Sequence, residues 1–401
     1  MVLVINRMVL AAVILASISG SLAQESYLFT DEPLEATTCA PYTCKTSKQT
    51  FTSETCVFYD TTSNTYYSKS GACSSKTYCS PGNLPANYTC VNNPATVGMA
   101  KIGEYCSVVS DCYSTAVSTY ASACTSSVCV AQAGHSCLTN GVRDDLWCPA
   151  GQYCSVVTAD GTTTGTCVAQ LTVGSTKCTS NSDCVNNAYC DKTAAAATGT
   201  CVELLSVKAG TQVQTCAITQ VDGTVGQNLL CESTVCGTVG GVYKCLDSVK
   251  SDDSVPMKCT STGNYDAKCV TKKDSISGAS LTNMCECGNN KAGDAYCNLS
   301  PGDSHFQSYL KYTKKWLSSS GINKCNTEGR LDSLCQQAWW DKSNIQAWTY
   351  YYLLINNYPA VVNAEDCVLE NVVAAYKAAK DAYDSSAAFF TLSALVLAAF
   401  A

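Results

Sequence analysis

The chain has 401 residues, 30 cysteines, only two histidines and a net charge of −7. So dense and even a cysteine content is typical of a disulfide-stabilised extracellular protein. Lysine and arginine are scattered and give no basic surface for nucleic acid. The sequence has no Cys-x2-Cys pair, which argues against zinc, so we predict no metal and no cofactor.

The first 23 residues have the pattern of a secretory signal peptide. Arg7 supplies a positive charge, Met8–Ile18 is apolar, and Ser21-Leu22-Ala23 is a small-x-small cleavage motif before Gln24. The mature chain is therefore predicted to enter the secretory pathway.

Residues 24–98 are predicted to form an N-terminal six-cysteine module. Alternation within Thr50–Tyr59 favours short β-hairpins, and Pro81-Gly82-Asn83 is a turn sequence. Asn87, in Asn87-Tyr88-Thr89, is an N-glycosylation acceptor. The cysteines of this module are Cys39, Cys44, Cys56, Cys73, Cys79 and Cys90.

Residues 99–270 are predicted to hold tandem four-cysteine repeats at intervals of roughly 30–40 residues. A glycine precedes each set, at Gly103, Gly134, Gly174 and Gly210. The repeat cysteines are Cys106, Cys112, Cys124, Cys129, Cys137, Cys148, Cys154, Cys167, Cys178, Cys184, Cys190 and Cys201, then the less regular Cys216, Cys231, Cys236 and Cys245. Cys259 and Cys269 follow as an expected extra pair.

Three residue types in these repeats have a structural interpretation. The leading glycine permits the positive φ of a tight turn. Asp111 and Asp183, each just before a cysteine, can accept hydrogen bonds from nearby backbone amides. Tyr153 and Tyr189, also just before cysteines, can lay their rings over a disulfide. One carboxylate per repeat is too few for a calcium site.

Gly103–Cys201, with glycine before the first cysteine, then Asp-Cys, Tyr-Cys and a last cysteine, resembles the N-terminal cysteine-rich module of Dickkopf proteins and related EB-type modules. Those Dickkopf modules also contain adjacent cysteines, which this chain lacks, so no receptor-binding residue is transferred. The Cys, Thr, Ser and Ala content, together with both terminal signals, also resembles ciliate-like protozoan surface proteins. The resemblance implies a disulfide-rich surface protein.

Residues 285–384 are predicted to form an α-helical domain with six cysteines. A capping box at Ser304-His305-Phe306-Gln307 begins a helix to Ser318, and Glu328–Trp340 predicts a second helix. A third starts at Ser343, and Asn363 is expected to cap a last one. The six cysteines are Cys285, Cys287, Cys297, Cys325, Cys335 and Cys367.

Aromatic residues of this domain supply the predicted partner surface, at Trp339, Trp340, Tyr350 and Tyr351. The purely structural interpretation is that these residues form the core of a helical bundle, but they cannot all point inward from one helix face. Asn298, in Asn298-Leu299-Ser300, is a second glycosylation acceptor. No catalytic motif is present, so we predict that the protein is not an enzyme.

Residues 385–401 are predicted to be a GPI-anchor propeptide or a hydrophobic tail. Ala387–Ala401 carries no charge and would extend only about 22 Å as a helix, short of the roughly 30 Å hydrocarbon core. The attachment candidates are Ser385 and Ser386, although a polar spacer would place the site nearer Ala378 or Ala379. The alternatives are a transmembrane helix or a buried C-terminal helix.

The predicted fold class is small disulfide-rich, with tandem cysteine-rich modules of short β-hairpins before a disulfide-stapled α-helical C-terminal domain. The repeats are expected to act as a resistant stalk. The predicted function is a non-enzymatic coat or adhesion component on the extracellular face of the plasma membrane, with a carbohydrate or extracellular protein as partner. The alternative is a protein-binding module of the receptor-ligand or protease-inhibitor type.

Overall fold

In the described part of the chain, short β-strands extend as far as Cys297, and α-helices follow from Ser304. The computed structural model describes residues 39–74, 77–80, 86–92, 100–114, 121–131, 136–218, 225–260 and 265–399. The predicted signal peptide, the leader that follows it, Gly134 and the turn at Pro81 lie outside these ranges. The predicted combination of hairpin modules and a disulfide-stapled helical region is confirmed.

Six successive sets of four cysteines share one disulfide pattern, in which the first cysteine bonds the third and the second bonds the fourth. We call these sets the first to sixth units. Their bonds are Cys56–Cys79 and Cys73–Cys90, Cys106–Cys124 and Cys112–Cys129, Cys137–Cys154 and Cys148–Cys167, Cys178–Cys190 and Cys184–Cys201, Cys216–Cys236 and Cys231–Cys245, and Cys259–Cys285 and Cys269–Cys297.

The third and fourth cysteines of every unit face each other across a hairpin. In the fourth unit, for example, Cys190 is the direct cross-strand partner of Cys201. The same pairing occurs in the other five units. Each of these cysteines bonds a cysteine that precedes the hairpin in the chain, so each unit holds two disulfides, which replace the apolar core that so small a module cannot build.

Within the ranges given above, the strands form one five-stranded sheet, two four-stranded sheets and four two-stranded hairpins. The five-stranded sheet has the order β1-β3-β2-β5-β4, with β1 Tyr42–Cys44, β2 Thr55–Asp60, β3 Thr65–Ser68, β4 Thr77–Ser80 and β5 Tyr88–Asn92. The hairpins pair β6 Ala121–Thr125 with β7 Val128–Ala131, β8 Leu138–Thr139 with β9 Val142–Arg143, β10 Gln152–Ala159 with β11 Thr162–Ala169, and β12 Ala188–Asp191 with β13 Thr200–Glu203.

The two four-stranded sheets belong to the fifth and sixth units. The first has the order β14-β15-β16-β17, with β14 Ala217–Ile218, β15 Val225–Gln227, β16 Val235–Val239 and β17 Val242–Cys245. The second has the order β18-β21-β20-β19, with β18 Lys258–Cys259, β19 Tyr265–Val270, β20 Thr282–Cys287 and β21 Ala295–Cys297.

The leading glycines adopt the backbone conformation that the sequence predicts. Gly103, Gly174 and Gly210 have φ values of +86°, +87° and +84°. The amide of each donates a hydrogen bond to the carbonyl of the last cysteine in its unit. The glycine therefore closes the unit's lead-in turn onto its hairpin, in a conformation that L side chains disfavour.

The aspartates before cysteines also have their predicted role. Asp111 Oδ2 accepts hydrogen bonds from the backbone amides of Ser107 and Val108. Asp183 Oδ2 accepts from the amides of Thr179 and Ser180. In each case the carboxylate fixes the short 3-10 turn that delivers the second cysteine of the unit.

The disulfides formed by the predicted N-terminal and C-terminal cysteine groups differ from those that the sequence predicts. Cys259 and Cys269 do not bond each other; they open the sixth unit and bond Cys285 and Cys297. The two predicted six-cysteine groups are not closed sets, because two disulfides join one group to the other. These bonds are Cys39–Cys287 and Cys44–Cys367. Sequence spacing could not reveal bonds between residues so far apart in the chain.

Six helices follow the hairpin units: α1 Ser304–Leu317, α2 Ser333–Trp339, α3 Lys342–Asn356, α4 Tyr358–Val361, α5 Asp366–Val372 and α6 Ala374–Ala399. The predicted bounds of the first helix are confirmed to within one residue, but its N-cap is Asp303 and the predicted capping box at Ser304 is wrong. α2 begins five residues later than predicted, because the Asp332 side chain caps it by accepting from Leu334 N. The predicted last helix has Glu365 and not Asn363 at its N-cap, and it is divided at Val373, where φ is −135° and ψ is 47°.

The units pack against the helices and do not form a separate stalk. Val57 of the first unit shares a buried cluster with Val368 of α5. Leu204, Leu205 and Leu230 share another with Trp316 of α1. Hydrophobic surface that a four-cysteine unit cannot bury within itself is thus buried against the helical region.

Candidate functional site

Residues 320–335, which run from just after α1 into the first turn of α2, contact three units, and we call them the hub segment. The disulfide Cys325–Cys335 closes it. Gly103 of the second unit lies so close that a Cβ there would stand 2.4 Å from the Lys324 carbonyl oxygen. The third and fourth units contact the same segment through the side chains described next.

Two buried asparagines join these units to the hub segment. The amide nitrogen of Asn186 donates to the carbonyls of Ile322 and Cys325, at 2.7 and 2.9 Å. In the opposite direction, the amide nitrogen of Asn326 donates to Asp145 and Cys148 carbonyls at 3.0 and 2.8 Å. Each amide donates to two carbonyls at the end of a 3-10 turn, and the first of the two, Ile322 or Asp145, also accepts from the backbone amide of Cys325 or Cys148.

Arg330 is a third connection between the hub segment and the fourth unit. It is 5% exposed and donates to the carbonyls of Ala188 and Asn181. Its guanidinium lies 4.7 Å from the ring centre of Tyr189, and burial lowers the pKa of the group. Tyr189, the tyrosine before the third cysteine of the fourth unit, therefore packs against an arginine, a contact that the sequence analysis did not predict.

Arg143 links the third unit to the fourth. Its guanidinium lies 2.9 Å from Asp145 Oδ2 and 2.7 Å from Asp183 Oδ1, under the ring of Tyr153. Burial alone would raise the pKa of the Asp183 carboxyl, but hydrogen bonds from Thr179 and Arg143 hold it below its usual value. The carboxylate is thus engaged by an arginine and the backbone.

A buried cluster of one amine and two carboxyl groups lies where the second unit meets the hub segment. Lys101, Glu104 and Asp332 are 2%, 0% and 4% exposed. The Lys101 Nζ lies 3.0 Å from Asp332 Oδ2. Burial raises the pKa of the Glu104 carboxyl to about 8, against the opposing attraction of Lys101. Nothing in the sequence marks these three residues as neighbours.

The four residues of the predicted partner surface lie in two separate places, all half-buried. Trp339 Nε1 donates to the Gly103 carbonyl at 2.7 Å, and the Lys324 Nζ lies 4.3 Å from its ring centre. Trp340 packs against Trp316 at 5.4 Å between ring centres. Trp339 thus packs where the helices meet the second unit, and Trp340 packs against α1.

Tyr350 and Tyr351 belong to what we call the tyrosine ladder, a row of rings across α1, α3 and α6. Tyr350 stacks on Tyr383 with ring centres 4.7 Å apart and 5° between planes. Tyr351 stacks on Tyr312 at 5.9 Å, and its hydroxyl lies 3.2 Å from that of Tyr383. Tyr376 completes the row beside Tyr350. Tyr376 is buried, whereas the other four rings are half-buried and keep part of their surface open to solvent.

The predicted modification residues occupy different environments. Asn87 is exposed, and its Oδ1 accepts from Tyr59 N. Asn298 is half-buried, and its Nδ2 donates to Glu286. Ser385 and Ser386 lie on α6, where their hydroxyls donate to backbone carbonyls of the preceding turn. Among the described residues, no helix combines the length and the apolar character that a membrane crossing requires.

Close groups of three sulfurs occur in several units, for example Cys178, Cys184 and Cys201, whose sulfurs lie within 4.8 Å of one another. They are the paired disulfides of one unit, and no free cysteine occurs among the described residues. A metal ion binds thiolates, so these oxidised sulfurs are not a ligand set.

No family model, curated protein or solved structure matches this chain. The resemblance to Dickkopf and EB-type modules therefore stays a prediction. The dense disulfide content itself indicates an extracellular or secreted protein.

Proposed function

We propose that the protein is a non-enzymatic, GPI-anchored component of a cell surface, serving as coat or in adhesion and recognition. The observation that carries this proposal is the pairing of all 30 cysteines, including bonds from Cys39 to Cys287 and from Cys44 to Cys367. Since the same disulfide pattern occurs in six units, we infer that they are copies of one repeat. Such a framework suits a protein exposed to proteases and to changing conditions outside the cell.

The anchor proposal rests on the composition of the segment after Ser386 and on the small residues before it. Phosphatidylinositol-specific phospholipase C should release the protein from intact cells into the medium. Heat-inactivated enzyme is the control. Retention on the membrane after treatment with active enzyme, while a known GPI-anchored marker is released, would contradict the anchor.

The tyrosine ladder is the proposed recognition surface, for a carbohydrate or an extracellular protein. Flat rings with part of their surface in water suit stacking on sugars or apolar side chains. Tyr351→Ala should weaken adhesion of expressing cells, whereas Tyr243→Ala, a half-buried tyrosine of the fifth unit, should not. Equal adhesion by both variants would move the binding surface elsewhere.

Abundance at the cell surface distinguishes a coat component from the alternative, a receptor ligand or protease inhibitor. A coat component should be among the most abundant proteins in quantitative surface proteomics. A low copy number would favour the protein-binding module.

A further inference from the structure

The enclosed cluster of Lys101, Glu104 and Asp332 brings an amine into direct contact with a carboxyl group. The Lys101 Nζ lies 3.0 Å from Asp332 Oδ2 and 3.9 Å from Glu104 Oε1. All three side chains are at least nine-tenths buried. A second carboxyl group therefore stands beside the reacting pair, shielded from solvent.

The surroundings of Glu104 suit a group that passes protons. Its Oε2 accepts from the Lys101 amide at 2.8 Å, whereas Oε1 has no hydrogen-bond partner among the residues that the structure describes. Gly329 makes room for Oε1, since a Cβ at that position would stand 2.0 Å away. With a pKa raised to about 8 by burial, Glu104 is mostly a neutral acid at pH 7 and can donate a proton and take one back.

We propose that Lys101 and Asp332 join in an intramolecular isopeptide bond, with Glu104 as the proton relay. Proton transfer from the Lys101 ammonium to the Asp332 carboxylate removes two opposite charges from a buried site. The Lys101 Nζ then bonds to Asp332 Cγ, one Cγ–O bond breaks, and the oxygen leaves as water with two protons from the former ammonium. Glu104 is restored, and no oxidant, reductant or other reactant is consumed.

The fold supplies what this reaction needs. Holding an amine against a carboxyl group at about 3 Å replaces an encounter in solution and can supply a large part of the barrier reduction. Burial keeps water away from the product. The exposed pair Lys258–Asp294 has a similar distance, 2.7 Å between Nζ and Oδ2, but its side chains are 65% and 26% exposed, so the same reaction is not expected there.

The bond would complete the covalent framework of the molecule. Each disulfide of the second to fifth units lies within its own unit. An amide between Lys101 and Asp332 would tie the second unit directly to the hub segment, through a bond that reducing agents do not break.

Mass spectrometry of the secreted wild-type protein tests the proposal. After full reduction, alkylation and trypsin digestion, we expect a branched peptide that contains Lys101 and Asp332, is lighter than the two peptides by one water, and is uncut at Lys101. Peptides containing Lys258 and Asp294 should be linear, as the matched control. Recovery of Lys101 only in a linear peptide would overturn the proposal, whatever the variants do.

Variants then test the roles of the three residues. Lys101→Arg and Asp332→Ala should abolish the branched peptide, and Glu104→Gln should reduce its yield at least tenfold in freshly secreted protein. A wild-type yield in Glu104→Gln would remove Glu104 from the mechanism. A branched peptide that persists in Lys101→Arg would show that another lysine is linked and contradict the assignment.

Discussion

At the scale of single residues, buried amides and one arginine connect units that have little apolar surface of their own. Asn186 and Asn326 are both fully buried, and each serves two carbonyls of another part of the chain. Because an unsatisfied buried carbonyl costs more than a hydrogen bond contributes, such residues are intolerant of substitution. The sequence offered no sign of this, since the neighbouring Asn187 has the same side chain and lies at the surface of the hairpin.

Asn186→Ala should lower the free energy of unfolding by about 1–3 kcal/mol, because the carbonyls of Ile322 and Cys325 both lose the Asn186 donor, although the Ile322 carbonyl retains its bond from the Cys325 amide. Asn187→Ala is the matched control, since its amide reaches only Glu203 at 3.3 Å. Urea unfolding with the disulfides intact measures both. Equal losses in the two variants would mean that the contact with the hub segment contributes nothing.

Asp183 predicts a dependence of stability on acid. Because its folded pKa lies below the ordinary value of 3.8, its contribution is present above that value and is lost as the pH falls through the lowered pKa. Below about pH 4, the melting temperature of Asp183→Asn should fall less steeply with decreasing pH than that of the wild type. Calorimetry from acid to neutral pH measures this dependence. Asp160→Asn, in an exposed turn, should show the same dependence of melting temperature on pH as the wild type. The same dependence in Asp183→Asn would contradict the prediction.

At the scale of elements, the same glycine turn occurs in open solvent and in a packed contact. Gly103 and Gly174 have nearly equal φ values, yet a Cβ would meet nothing within 4 Å at Gly174 and would overlap the Lys324 carbonyl at Gly103. The turn is thus a local device in the fourth unit, whereas in the second unit it is also a site of contact with the hub segment.

Gly174→Ala should cost about 1–2 kcal/mol of stability, the strain of a left-handed backbone. Gly103→Ala should cost clearly more, since the added methyl group also displaces the hub segment. Thermal unfolding measures the stability loss of each variant. Because both variants share the backbone strain, the difference between the two losses is the packing contribution. A larger loss in Gly174→Ala would contradict the close contact.

At the scale of the whole molecule, two disulfides join regions near opposite ends of the described chain. Cys39–Cys287 and Cys44–Cys367 span 248 and 323 residues. Cys39–Cys287 joins the start of the described chain to β20, and Cys44–Cys367 joins β1 to α5, where Val57 and Val368 are both inaccessible to solvent. A cut between units would therefore leave the pieces covalently joined.

A protease site inserted at Val173, which is 50% exposed between the third and fourth units, tests this closure. In a Lys101→Arg background, the cut protein should migrate as one species on a denaturing gel without reducing agent and as two species with it. Replacing Cys39, Cys44, Cys287 and Cys367 by serine should give two species in both lanes. Two species from the unreduced parent would show that the long-range disulfides do not form.

The sequence by itself determined the local features of this protein. Cysteine density, the glycine before each cysteine set and the period of α1 all depend on neighbours within a few residues, and they predicted the hairpin units, the φ of Gly103 and the helix at Ser304. The carboxylate turns at Asp111 and Asp183 were predictable for the same reason. The predicted glycosylation and anchor residues depend on processing in the cell and remain proposals.

Only the tertiary structure decided which distant groups meet. Thirty cysteines permit a very large number of pairings, and spacing along the chain cannot choose between a bond within a module and one such as Cys44–Cys367. The same holds for Asn186, Arg330 and Lys101, whose side chains look ordinary in the sequence. Their roles arise because four-cysteine units cannot bury enough surface alone, so they pack on the helices and the hub segment, where any polar group must find a partner.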